Sequence, residues 1–246
     1  MTSAGSGPVS IQSRSRLGAA RDLAFGVPVV LGMTAATWWL LGLAASFVWV
    51  AGGLYLSMCF LILSQVREEL PGPGLGPANR VTVGRAVLAI PVLALSLFPG
   101  PLTATGAWWV IVVSTAVLIL DGVDGRVARR TGSESAFGAR FDMELDAALI
   151  MALSVLVWSN GRAGAWVLLI GLMRYIFVLA SWVVPSLSRE LPKSRRRQTV
   201  CVVQGIALLV ALGPIIPAPI ALLVVAVSLG LLLYSFAVDV RLLLTK

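Results

Sequence analysis

The sequence predicts an all-α fold, a polytopic bundle of membrane helices with about eight spans. Three observations carry that prediction. Hydrophobic residues make up 58% of the chain and charged residues only 12%, where a soluble domain carries about 25% charge. Apolar runs near the roughly 20 residues needed to cross a bilayer recur along the chain. The basic residues collect on alternate sides of those runs, as cytoplasmic loops demand.

The elements follow in order. Residues 1–22, "MTSAGSGPVSIQSRSRLGAARD", are polar and carry Arg14, Arg16 and Arg21. The apolar run behind them is too long for a signal-peptide core, so they read as a mobile cytoplasmic tail. Two helices are expected at about 24–43 and 45–65, together forming an N-terminal segment over 23–66. "REELPGPGLGPANR", residues 67–80, is dense in Pro and Gly and breaks the helical pattern. Further helices are expected at about 81–98, from 105 into an acidic stretch, and at 139–158, 163–185, 198–213 and 217–242. These make residues 67–246 a six-helix domain. The last pair is joined by "GPIIPAP".

With the N-terminus inside, every one of the 19 basic residues except Arg162 and Arg174 falls on the inner side or at its border. That asymmetry supports both termini facing the cytoplasm; a bacterial plasma membrane is the expected location. The net charge of +8 then belongs to loops at an anionic surface. No basic stripe with interleaved aromatics is present, which argues against nucleic acid. Cys59 and Cys201 lack metal or disulfide spacing and read as small buried hydrophobes. The pairs in "TWWLL" and "AWWVI", with Trp182, form the interfacial aromatic belt.

The chemistry sits in "DGVDGRVARRTGSESAFGARFDMELDA", residues 121–147. Asp121 and Asp124 are three apart on one helix, and Asp142 and Asp146 four apart on the next, so each pair shares a face. Two neighbouring helices could converge all four carboxylates. Such a cluster is costly at membrane depth and defaults to function. Hard divalent cations compensate it, and a site of that kind has room for phosphate oxygens. Gly125, Ala128 and Gly138 let a bulky ligand approach the backbone, and Arg129 and Arg130 offer phosphate forks. Glu144 points elsewhere and reads as a surface charge. With no histidine in the chain, a carboxylate is the natural general base.

The pattern Asp121-x2-Asp124-Gly125-x2-Ala128-Arg129-x8-Gly138-x3-Asp142-x3-Asp146 resembles the signature of the CDP-alcohol phosphotransferases, with every fixed position present. Upstream, "NRVT" with Arg85 looks like that family's Asn-x-x-Thr-x-x-Arg opening. The resemblance covers about residues 79–243 and implies a six-helix core, with the first two helices as an addition to it. It implies transfer of a substituted phosphoryl group, usually phosphatidyl, from a CDP-linked donor such as CDP-diacylglycerol to an acceptor alcohol. CMP is released, and phospholipid is made. It implies Mg²⁺ or Mn²⁺ on Asp121, Asp124, Asp142 and Asp146, with Asp146 also taking the acceptor's proton. It places Asn79, Thr82, Gly125, Ala128, Arg129, Ser135 and Gly138 around the CDP donor, and implies a homodimer. Arg174, a charge within a helix, and Lys193, Arg196 and Arg197 are candidate acceptor-binding residues, although the loop could equally anchor anionic lipid. Two rival readings differ in where they place acids. A membrane prenyltransferase would carry Asp motifs on distant helices, and an ion transporter would carry acids near helix centres.

Overall fold

The computed structural model describes residues 17–65, 75–98, 100–131, 135–189 and 194–244, without the side chains of 77–78, 123–131, 136 and 188. Among the described residues every regular element is helical. Helix α1 covers 17–24, α2 is Gly26–Leu41, α3 Ser46–Gln65, α4 Gly76–Leu95, α5 Ala104–Thr131, α6 Ala136–Ser159, α7 Leu168–Val183, α8 Arg195–Leu212 and α9 Ala218–Leu244. Helix α1 thus occupies the last residues of the stretch expected to be a tail, and α4 begins five residues before the expected start at 81. Short 3₁₀ turns at Ala165–Val167 and Pro185–Ser188 flank α7.

Five helical segments are long and apolar enough to cross a bilayer: Leu17–Leu41, Ser46–Gln65, Ala104–Gly122, Ala165–Val183 and Ala218–Leu244. The chain is an integral membrane protein on that ground. Helices α4, α6 and α8 have 20, 24 and 18 residues, lengths compatible with spanning. They also carry Arg80 and Arg85, Asp142 and Asp146, and Arg195 to Arg197, which lower their hydropathy. Trp39 and Trp182 are 80% and 77% exposed, as an outward belt requires. Cys201 is exposed and Cys59 only partly buried, so neither is the fully buried small hydrophobe expected.

The chain divides into two compact units, one of Met1–Leu95 with Thr115–Leu145, the other of Ser96–Ser114 with Asp146–Lys246. In the first, α2, α3 and α4 pack on one another. Helix α2 stops where Gly42 takes φ +59° and its N–H closes on Trp38 O, a left-handed ending that glycine adopts without strain. Gly26 lets α2 approach its neighbours: a Cβ there would stand 3.1 Å from Tyr55 Oη of α3 and from Val87 Cγ2 of α4. The Tyr55 hydroxyl donates to Leu23 O. The Asp22 carboxylate accepts from Leu75 N–H at 3.0 Å and from Arg80 Nε at 3.0 Å. The N-terminal helices are therefore held at the first turns of α4 by directional bonds from α1 as well as by the packing of α2 and α3.

In the second unit, α8 and α9 form a helical hairpin, and α7 also packs on α9. Buried Gln204 donates to Ser228 O at 2.9 Å, and Ser228 Oγ donates back to Gln204 Oε1. Arg162 donates to Ala211 O at 2.7 Å, to Gly213 O at 3.0 Å and to Ile216 O. It thereby ties together carbonyls from the end of α8 and the turn that leads to α9. Gly171 of α7 faces α6 so closely that a Cβ would lie 2.6 Å from Met151 Cα.

Gly171→Ala is expected to destabilise the protein by about 1–3 kcal/mol, since backbone must move to admit the methyl group. Gly230→Ala, where a Cβ meets nothing within 4 Å, should be neutral or slightly stabilising. Thermal unfolding of both variants in one detergent checks the pair, and equal midpoints would refute the packing argument.

Candidate active site

Three helices bring the acidic stretch and its upstream partner together. Helix α4 carries Asn79, Thr82 and Arg85, three residues apart and so on one face. All three are buried, Arg85 completely so. Helix α5 carries Asp121, and α6 carries Asp142 and, one turn on, Asp146.

Arg85 is the charge at the centre. Its Nη1 lies 3.0 Å from Asp121 Oδ1 and also pairs with Asp142 Oδ1. Its Nε donates to Val117 O at 3.3 Å, one turn before Asp121 on α5. A single guanidinium thus holds α5 at two points and α6 at a third. A buried cation in a membrane bundle is tolerated only when such partners repay its desolvation. The aspartate side chains are 32% and 36% exposed while that of Arg85 is 0% exposed. The cation closes the back of the site, and the carboxylates border its open side.

The first unit ends at Leu145 and the second begins at Asp146, but α6 runs unbroken through both. Helix geometry therefore fixes Asp146 one turn beyond Asp142. Asp121, Asp142 and Asp146 each offer a carboxylate oxygen, and these oxygens lie within 4.8 Å of one another. Hard divalent ions take oxygen ligands at about 2.0–2.6 Å, so opposite ligands stand roughly 4–5 Å apart. The three acids fit that set in chemistry and in spacing. The backbone of α5 stays helical through 124 to Thr131. The side chains of Asp124, Gly125, Ala128 and Arg129 lie outside the described residues, as does that of Arg130.

The residues expected around a nucleotide donor divide into two groups. Asn79, Ser135 and Gly138 meet: Asn79 Nδ2 donates to Leu75 O at 2.7 Å and reaches Ser135 Oγ at 3.5 Å. Ser135 in turn caps α6 by accepting Gly138 N–H at 3.0 Å. A Cβ on Gly138 would come within 2.2 Å of Asn79 Oδ1, so glycine at this position lets Asn79 of α4 lie against the first turn of α6. Thr82 lies buried one turn along from Asn79. Glu144 is exposed, as a surface charge should be.

The candidate acceptor residues lie in the second unit. Arg174 is partly buried within α7, and Lys193 lies outside the described residues. Arg196 pairs with Asp239 Oδ1, and Arg197 Nη1 lies 3.5 Å from the same oxygen. Asp239 is 6% exposed and was not singled out in the sequence. Its signal was legible: a lone acid in the last apolar helix, in a chain whose opposite charges crowd a neighbouring helix start.

Replacing Arg85 by Met should cost about 3 kcal/mol, because two carboxylates then lose their buried cation. Added Mg²⁺ should restore more stability to Arg85→Met than to the wild type, as a second source of positive charge. Thermal unfolding with and without the ion reads this out. A variant as stable as wild type in the absence of divalent cation would refute the compensating role.

Comparison with known proteins adds one finding: the description of the CDP-alcohol phosphatidyltransferase family matches residues 76–237. No curated protein and no solved structure matches the chain. The matched region begins with α4, takes in Arg85 and the three converged aspartates, and covers well over half of the sequence. The chain belongs to the CDP-alcohol phosphatidyltransferase family and is a phosphotransferase.

Proposed function

We propose that this protein transfers a phosphatidyl group from CDP-diacylglycerol to an acceptor alcohol, releasing CMP, as a step of phospholipid synthesis. The observation that carries the proposal is the convergence of Asp121, Asp142 and Asp146 within 4.8 Å inside the family match. Asp124 would complete the ligand set from the next turn of α5. When bound, Mg²⁺ or Mn²⁺ supplies charge neutralisation for the pyrophosphate and for the departing CMP.

The chain's own residues do the rest. Asp146 accepts the proton of the acceptor hydroxyl as its oxygen forms a bond to the lipid-side phosphorus. The phosphoanhydride bond breaks, and its electron pair leaves with CMP. Arg85 holds Asp121 and Asp142 in place before substrate arrives, so those groups need not reorganise during reaction. Asn79, Thr82, Ser135 and Gly138 border the donor on one side. Gly125, Ala128 and Arg129 border it on the other, the two small residues admitting the nucleotide close to the backbone. Arg174, Lys193, Arg196 and Arg197 bind a polar or phosphorylated acceptor. Asp239 fixes two of these arginines by one oxygen, and each guanidinium has five N–H donors.

The remaining topology belongs to the same proposal: eight spans, both termini and the active site cytoplasmic, in a bacterial plasma membrane, as a homodimer. The distribution of basic residues supports the orientation, and the lengths of α4, α6 and α8 support the count.

Asp146→Asn should lower kcat by about 10²–10⁴ while donor binding persists, measured as CMP release from CDP-diacylglycerol. Wild-type turnover would remove Asp146 from the base role. Arg174→Ala should raise the acceptor KM on whichever polar alcohol a product screen by mass spectrometry identifies. An unchanged KM would leave Arg174 a structural charge.

A further inference from the structure

Helices α1, α2 and α3 lie outside the family match, and between α1–α2 and α4 the first unit holds a cavity of about 320 Å³. Its lining consists of two stripes. One is Arg21, Phe25 and Val29 with Asp22 and Gly26; the other is Arg80, Val83 and Val87 with Gly84. Within each stripe, residues three or four apart share a helix face. The contacts that join the stripes give their direction. Asp22, beside Arg21, bonds Arg80 at 3.0 Å, and Gly26 abuts Val87. The stripes therefore run parallel, with both arginines at one end and apolar surface over the next two turns.

The charge at that end is positive. The Asp22 side chain is only 5% exposed and its carboxylate serves Leu75 N–H and Arg80 Nε. The side chain of Arg80 is 50% exposed, and Arg21 is exposed. The apolar part is open along its length: Val29 is 46% exposed, and a Cβ on Gly84 would meet nothing within 4 Å. Valines 83 and 87 form a buried floor.

We propose that this groove binds an anionic phospholipid, with the phosphate on Arg21 and Arg80 and one acyl chain along Phe25, Val29, Val83 and Val87. Both segments lie in or beside helices that face lipid, so the occupant arrives laterally from the bilayer. A phosphate prefers paired guanidinium donors, and methylene groups favour the apolar floor. A zwitterionic lipid brings its own cation to the arginine end and fits less well. The site is separate from the transfer reaction, and the thermal titration that tests it does not depend on that reading; only the CMP-release control does.

The full-length protein, purified in neutral detergent, is titrated with phosphatidylglycerol, phosphatidylcholine or inorganic phosphate while its thermal midpoint is followed. Phosphatidylglycerol should give a saturable rise that the other two do not. Arg21→Gln should weaken its half-saturation about fivefold, the loss of one basic contact to an anionic lipid surface. Gly84→Leu, which fills the groove with an apolar side chain, should remove the saturable rise and leave CMP release unchanged. An equal response to phosphatidylcholine, an equal response to free phosphate, or a wild-type response in both variants would each overturn the proposal.

Discussion

The structure of the first unit depends on one buried cation. Arg85 sits where water cannot reach it, and desolvating a guanidinium costs several kcal/mol unless good partners repay it. Its partners come from two other helices: a carbonyl and a carboxylate from α5 and a carboxylate from α6. The position of α4 therefore constrains both helices that carry the acidic signature. The same pairing tempers the mutual repulsion of the aspartates before any divalent ion is bound. Acids gathered this closely would otherwise drive their helices apart, and Arg85 lets the fold form with them already converged.

Much of this could be read from the residues. The apolar runs announced the helices, and the ends of α2 and α3 lie within two residues of expectation because Gly42 and the small residues after it interrupt the run. The spacing of Asp142 and Asp146 fixed their shared face by helix geometry alone. What periodicity could not supply was contact between helices. The family resemblance gave Arg85 a place in a motif but not its two carboxylate partners, and neither it nor periodicity showed that Asn79 abuts Gly138. Hydropathy was weakest where charge is densest. Helices α4, α6 and α8 carry Arg80 and Arg85, Asp142 and Asp146, and Arg195 to Arg197, and they are not among the five segments apolar enough to be read as spans by composition. The start of α1 at 17 was missed for a related reason: Arg21 and Asp22 look like tail residues until Arg80 and Leu75 are seen beside them.

The N-terminal helices change the surroundings of the first helix of the family match. Apolar side chains gain little from leaving lipid for another helix, so close packing and polar bonds decide which helices stay together. Both are present here. Gly26 brings α2 within contact of α3 and α4, and Asp22 bonds the backbone just before α4 and a side chain within it. The first turns of α4, which lead to Asn79 and Thr82, are thereby fixed against protein.

The same physics sets the register of the second unit. Dispersion contacts between apolar helices change little when one slides past another, whereas hydrogen bonds do not tolerate a shift of one turn. The reciprocal pair of Gln204 and Ser228 locks α8 to α9 near their middles. Arg162 holds the carbonyls at one end of α8, and Asp239 holds Arg196 and Arg197 at the other. Three polar clamps along one hairpin are more than stability requires, since replacing buried ion pairs by apolar residues is often neutral or better. Their effect is positional. They fix where two arginines at the start of α8 stand, both held by a single acid near the end of α9.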